Sequence, residues 1–167
     1  MSSERDSKPK VLMAGGTIDK VYNELDGSLG FNVSNIPQMF EEANAPIPEY
    51  EVVMLNDSLD MTDADRVELM VEARDAQEDR IVITHGTDTM VETAKLIAEY
   101  DLDKTIVLTG AMRPYTFGKS DASFNLGFAF AAAQLLPHGI YVAMNGQVFK
   151  WDNVSKNKEL GRFEPLE

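Results

Sequence analysis

Cysteine is missing from all 167 positions of the chain. Disulfides and thiolate-held metals are excluded with it, although cysteine-free proteins occur in every compartment and the absence does not fix one. Positive charge is scarce: 15 Lys and Arg stand against 28 Asp and Glu, a formal net charge of -13. So acidic a surface repels nucleic acid and anionic lipid, and no basic cluster offsets it. Long apolar runs are lacking too, so no segment can span a bilayer. The start, MSSERDSKPK, is charged where a secretory signal needs an apolar stretch, and the expectation is a cytoplasmic protein. Neither G-x-G-x-x-G nor G-x-x-x-x-G-K-[ST] occurs, which removes the common nucleotide cradles. No metal-binding constellation is present either.

What is there suits one globular domain with a real core, since 44% of the residues are hydrophobic. No internal repeat or low-complexity linker interrupts it, so residues 1–167 are taken as a single domain. Short apolar runs alternate with segments of helical period. That pattern predicts an α/β fold: a three-layer, doubly wound, mostly parallel sheet of flavodoxin or Rossmann type. KVLMAG, YEVVMLN, RIVITHG, KTIVLTG and GIYVAMNG read as five strands. A helix is expected from about Ser34, carrying Ile36, Met39 and Phe40. Thr62-x-x-Asp65 and Thr89-x-x-Glu92 read as capping boxes that open two more helices. FNLGFAFAAAQLL is apolar nearly all round, which predicts a helix buried on most sides or packed against another subunit. The tail from Gln147 is polar with scattered apolar anchors.

Ligands of doubly wound sheets bind beyond the carboxyl ends of the strands, so the residues just after each apolar run carry the interest. Thr17 follows the first strand in AGGT, and Asn56, Asp57 and Ser58 follow the second. His85-Gly86-Thr87-Asp88-Thr89 follows the third, and Gly110-Ala111-Met112-Arg113-Pro114 the fourth. Each has an ordinary reading: glycines make tight turns, and Ser, Thr and Asp cap helices. His85 reads as a structural hydrogen-bonding group and His138 as a loop residue. Arg113 is expected to anchor a loop through a carboxylate such as Asp88 or Asp121. The methionines at 54, 61, 70, 90, 112 and 144 read mainly as core.

Taken in order and at their separation, AGGTID, NDSLDM, ITHGTDTMVETA and LTGAMRP resemble the amino-terminal domain of the bacterial-type L-asparaginases. The likeness runs from Val11 to about Phe163, and Asp57-Ser58 with the following Met-Thr is closer to the cytoplasmic branch than to the secreted one. The resemblance implies a threonine amidohydrolase that converts asparagine, and sometimes glutamine, to the acid and ammonia with no metal or organic cofactor. It implies Thr17 as the nucleophile that forms an acyl-enzyme, with Thr87 and Asp88 as a second catalytic pair. It also implies that Asp57 and Ser58, with backbone near Gly86 and Ala111, hold the substrate. Tyr22 falls where the family keeps a mobile lid. A glycine pair before Thr17 suits such a role, because a planar amide can approach a hydroxyl that has no bulky neighbour.

Two departures accompany the likeness. The family pairs its second threonine with a lysine on the helix after GAMRP. Alignment without gaps from Phe124 puts Leu136 there, with Gln134 nearby, and no lysine lies between Lys119 and Lys150. The expectation is a weakened proton relay. Leu59 also stands where a polar substrate ligand is common. The second departure is length: a chain of 167 residues is expected to lack the family's carboxyl-terminal domain, so that either a homodimer or higher homo-oligomer through the apolar helix closes the site, or an open cleft takes a larger amide such as a peptide-borne or modified asparagine. The alternative is a module that binds a small amino acid and has lost turnover.

Overall fold

The computed structural model describes residues 8–166; the charged start that bears on secretion lies mostly outside them. In chain order the elements are β1 (Lys10–Gly15), β2 (Val21–Tyr22), β3 (Leu29–Gly30), α1 (Ile36–Glu42), β4 (Tyr50–Asn56), α2 (Asp63–Asp75), β5 (Arg80–Thr84), α3 (Met90–Ala98), β6 (Thr105–Thr109), α4 (Ala122–Leu135), β7 (Gly139–Met144), β8 (Gln147–Lys150), β9 (Ser155–Asn157) and β10 (Arg162–Glu164). Six strands form the main sheet in the order β4-β1-β5-β6-β7-β8. The first five run parallel and β8 is antiparallel to β7.

The strands are apolar on both faces because each face meets helices. Leu12, Ile81, Ile83, Ile106 and Leu108 pack toward Leu69, Met70, Ala73, Ala94 and Ile97 of α2 and α3. Their neighbours Val11, Met13, Val82 and Val107 pack toward Ile36, Met39, Phe40, Leu126, Ala129 and Ala133 of α1 and α4. Alternate residues thus serve two cores, and the predicted three-layer α/β architecture is the observed one.

Local chemistry explains most element boundaries. Thr62 caps α2 through the expected box, its hydroxyl accepting from the Asp65 N–H at 3.2 Å while Asp65 accepts from the Thr62 N–H at 2.9 Å. The second predicted box does not form. The Thr89 hydroxyl donates instead to the Ser58 carbonyl at 2.9 Å, and Glu92 pairs with Arg66. A tie between two loops has displaced a local cap.

The tail is more ordered than its composition suggests. Asn145 and Gly146 both take positive φ, 57° and 69°, and turn β7 back into β8, as an Asn-Gly pair favours. Phe149, Val154 and Phe163 are buried in the core, and the Phe163 N–H donates to Asn145 Oδ1 at 2.8 Å. These anchors lay the β9-β10 hairpin back over the domain. Helix α4 buries Ala122, Asn125, Leu126, Ala129 and Ala133 but leaves Phe124 64% and Leu135 83% exposed, so it is covered along one face only.

Candidate active site

The chain leaves β1 for β4 on one side and returns to β5 on the other, which makes the gap between β1 and β5 the switch point of the sheet. Loops after adjacent strands diverge there and open a crevice. Thr17 follows β1 and Thr87 follows β5, so both threonines lie at that gap.

Glycines bring the loops into contact. Gly16, at φ 81°, presses its backbone on that of His85 and Gly86 so closely that no Cβ would fit. Each of these glycines is followed at once by one of the threonines. A Cβ on Gly86 would lie 2.5 Å from both Cβ and Oγ of Ser58, which sets Ser58 against the same crevice. The loop after β6 joins through the His85 N–H, which donates to the Thr109 carbonyl at 2.9 Å.

Residues 17–20 show how one hydroxyl is singled out. Ile18 is buried in the core. Asp19, also fully buried, accepts from the Ser34 hydroxyl at 2.9 Å and the Asn35 N–H at 2.8 Å, and loss of solvent raises its pKa above the usual 3.8. Lys20 donates from its ammonium to Asp57 Oδ2 at 2.5 Å. Among the described residues the Thr17 hydroxyl has no hydrogen-bond partner, and its side chain is only partly covered.

On the other side of the crevice Thr87 is buried and held. Lys156 Nζ donates to Thr87 Oγ1 at 2.7 Å and to Asp88 Oδ1 at 2.9 Å. This overturns the expected loss of the lysine. It sits in β9, after the antiparallel turn, and not on α4. Leu136 caps the end of α4 at the amino-terminal ends of the strands, opposite the site, where its carbonyl accepts from Arg80 at the start of β5. The Asn145-Gly146 turn and the Val154 and Phe163 anchors were the signals for a tail that folds back; reading it as merely polar hid Lys156.

The remaining candidates fall as follows. Asp57 opens the short helical turn Ser58–Asp60, accepting the Leu59 N–H at 3.0 Å, and its ion pair with Lys20 holds its carboxyl below the usual range. The Ser58 hydroxyl makes no hydrogen bond within the described residues. Leu59 is 69% exposed and fills no core. Ala111 is buried, and its loop is held by Asp121, which accepts from the Met112 and Arg113 backbone N–H groups at 2.9–3.1 Å. Asp121 therefore anchors that loop as expected, but through backbone and not through the Arg113 guanidinium. Tyr22 lies on the small β2-β3 hairpin, largely exposed.

His85 proves structural. Burial pushes its pKa down to about 4, its Nδ1–H donates to the Gly86 carbonyl at 2.7 Å, and its Nε2 accepts from the Thr93 hydroxyl at 2.7 Å. Among the described residues no group of three His, Cys, Asp or Glu side chains is placed to hold a metal.

A family model described as the N-terminal domain of asparaginase matches residues 9–162. The chain belongs to the asparaginase family. A Haemophilus influenzae protein named "Probable L-asparaginase periplasmic" is 34% identical over 160 residues, covering 87% of this chain and 45% of the relative. The solved structure of the thermostable L-asparaginase from Thermococcus kodakarensis superposes with a TM-score of 0.79 at 32% identity, over 93% of this chain and 50% of that one. A structure titled "Probable Cytoplasmic L-asparaginase" from Campylobacter jejuni gives 0.74 at 30%, over 90% and 49%. The chain thus spans about half the length of the asparaginases it matches. Those relatives are named for two compartments, and among the described residues no helix is long and apolar enough to cross a membrane.

Proposed function

We propose that the chain is an asparaginase-type amidohydrolase that converts asparagine, or a related small amide, to the acid and ammonia. The observation that carries the reading is the Lys156 ammonium, bonded at once to the Thr87 hydroxyl and the Asp88 carboxylate, beside a Thr17 hydroxyl without a hydrogen-bond partner among the described residues.

In this reading Thr17 Oγ attacks the side-chain amide carbon, and backbone N–H groups at the strand ends stabilise the oxyanion. The C–N bond breaks, and the proton given up by Thr17 leaves on ammonia. An ester to Thr17 remains. Water then attacks it, assisted by Thr87, and releases the acid and the free hydroxyl. The positive charge on Lys156 favours negative charge developing on the Thr87 oxygen, and Asp88 holds the ammonium in place.

Substrate recognition falls to the polar groups still open. Asp88 uses Oδ1 for Lys156 and keeps Oδ2 for an α-ammonium, while both oxygens of Asp57 are already engaged. The Ser58 hydroxyl and backbone near Gly86 and Ala111 face the rest of the small molecule, and Tyr22 serves as a lid. No cofactor takes part. The apolar outer face of α4, with Phe124 and Leu135, supports assembly as a homodimer or higher oligomer that closes the site. The Asp57-Ser58 pair and the likeness to the Campylobacter jejuni structure support a cytoplasmic protein.

A binding module without turnover is the competing reading, favoured by Leu59 in place of a polar ligand. Ammonia release from asparagine, glutamine and a few capped amides, run beside calorimetric binding, separates the two. Release that is lost in Thr17→Ala supports hydrolysis; binding of asparagine with no release supports the module.

A further inference from the structure

Three loops of the site meet on Lys20. Its backbone N–H donates to the Thr17 carbonyl at 3.1 Å and closes the turn that presents the hydroxyl. Its carbonyl accepts from the Thr116 hydroxyl at 3.0 Å. Its ammonium reaches Asp57 Oδ2, and the other Asp57 oxygen starts the turn that carries Ser58. Thr17, Asp57 and Thr116 follow β1, β4 and β6, so a single residue ties together segments from three strands.

The side chain of Lys20 is mostly covered, which is unusual for a residue whose entropy favours reaching into water. Partial covering of both ends of the ion pair screens it less than a fully exposed bridge. The preceding residue, Asp19, is fixed to Ser34 and Asn35. The Thr17 turn is therefore pinned from within by Asp19 and from outside by Lys20. Only the second pin reaches the loop assigned to the substrate.

We propose that Lys20 is a positioning residue for amide hydrolysis: through Asp57 it fixes the distance between the Thr17 hydroxyl and the substrate ends held by the Asp57-Ser58 loop. The proposal rests on Thr17 being the nucleophile. It also assigns Asp57 a task, since a carboxylate with both oxygens occupied positions its loop and leaves ammonium binding to Asp88.

The test is ammonia release by the full chain and by Lys20→Met, Lys20→Arg, Asp57→Asn and the Lys20→Met/Asp57→Asn double variant. Amide hydrogen exchange of residues 17–21 and 58–61 is measured on the same proteins. Misplacing a reacting group lowers turnover, so Lys20→Met is expected to lose about 10- to 100-fold in kcat. Asp57→Asn should match it, the double variant should be no worse than either single, and Lys20→Arg should recover most of the loss. Exchange should rise in both segments together. If Lys20→Met raises KM alone and Asp57→Asn does not reproduce it, Lys20 binds substrate directly and the positioning role is wrong. Should the unaltered chain release no ammonia, the hydrolase reading fails, yet exchange still decides the linkage: unchanged protection of 58–61 in Lys20→Met overturns it.

Discussion

Lys156 Nζ lies 2.7 Å from Thr87 Oγ1, although the two residues are 69 positions apart in the chain. Thr87 enters the crevice from the centre of the parallel sheet, while Lys156 arrives from a hairpin laid over the edge where the sheet turns antiparallel. Their meeting converts two unremarkable side chains into a polarised hydroxyl.

Removing that ammonium gives the sharpest prediction. Lys156→Met should lower ammonia release by about 10²- to 10⁴-fold, the usual range for proton-transfer assistance. Leu136→Lys should change nothing in turnover, because Leu136 sits beside Arg80 at the amino-terminal ends of the strands, away from the site. Steady-state kinetics on both variants checks the pair.

The two threonines should part company in stability while agreeing in activity. Thr17→Ala removes a hydroxyl without a partner among the described residues and is expected to shift stability by about 0.5 kcal/mol or less. Thr87→Val takes an acceptor from a covered ammonium and is expected to cost about 1 kcal/mol. Both should abolish turnover. Urea unfolding midpoints beside the ammonia assay test this.

Gly86 is expected to tolerate no side chain. In Gly86→Ala the new methyl would meet Ser58 Cβ and Oγ at 2.5 Å, and overpacking of this kind costs about 1–3 kcal/mol. Because the side chain displaced is Ser58, KM should rise along with the loss of stability. An unchanged KM would mean that Ser58 does not touch the substrate.

Acid stability depends on His85. In the unfolded chain it takes up a proton near pH 6.5, whereas the folded chain holds it neutral down to about pH 4. Between these values the unfolded state binds more protons, so stability falls as pH falls, by up to about 3 kcal/mol over the full window. The slope should flatten in His85→Gln, which keeps an amide between the Gly86 carbonyl and Thr93. Denaturation midpoints from pH 7 to pH 4 for both proteins measure the difference.

Assembly should depend on the outer face of α4. Sedimentation at micromolar concentration is expected to show at least a dimer, and a Phe124→Asp/Leu135→Glu variant to shift it toward monomer. A monomeric parent protein would place the closing of the site within one chain.

The five parallel strands and four helices could be read from the sequence because each is bounded by a local signal: an apolar run, a box such as Thr62 with Asp65, or a glycine pair. The strand-end clusters could be found for the same reason, since the fold dictates where they emerge. What escaped depends on distant contact. Thr89 has the neighbours of a cap but spends its hydroxyl on Ser58, and Arg113 is fixed by its backbone. Lys156 is recognisable only once the Asn145-Gly146 turn and the burial of Phe163 are known to fold the tail home.

That fold-back also sets an order of events during synthesis. A ribosome has already delivered both threonines, the switch-point crevice and every parallel strand before residue 156 leaves the exit tunnel. Until then the nascent domain can form its sheet and shelter its core while lacking the charge that would poise Thr87. In the proposed hydrolase, competence would come late, with the closing of one small hairpin, and a chain interrupted after β8 is expected to lack the Lys156 contact to Thr87 and Asp88.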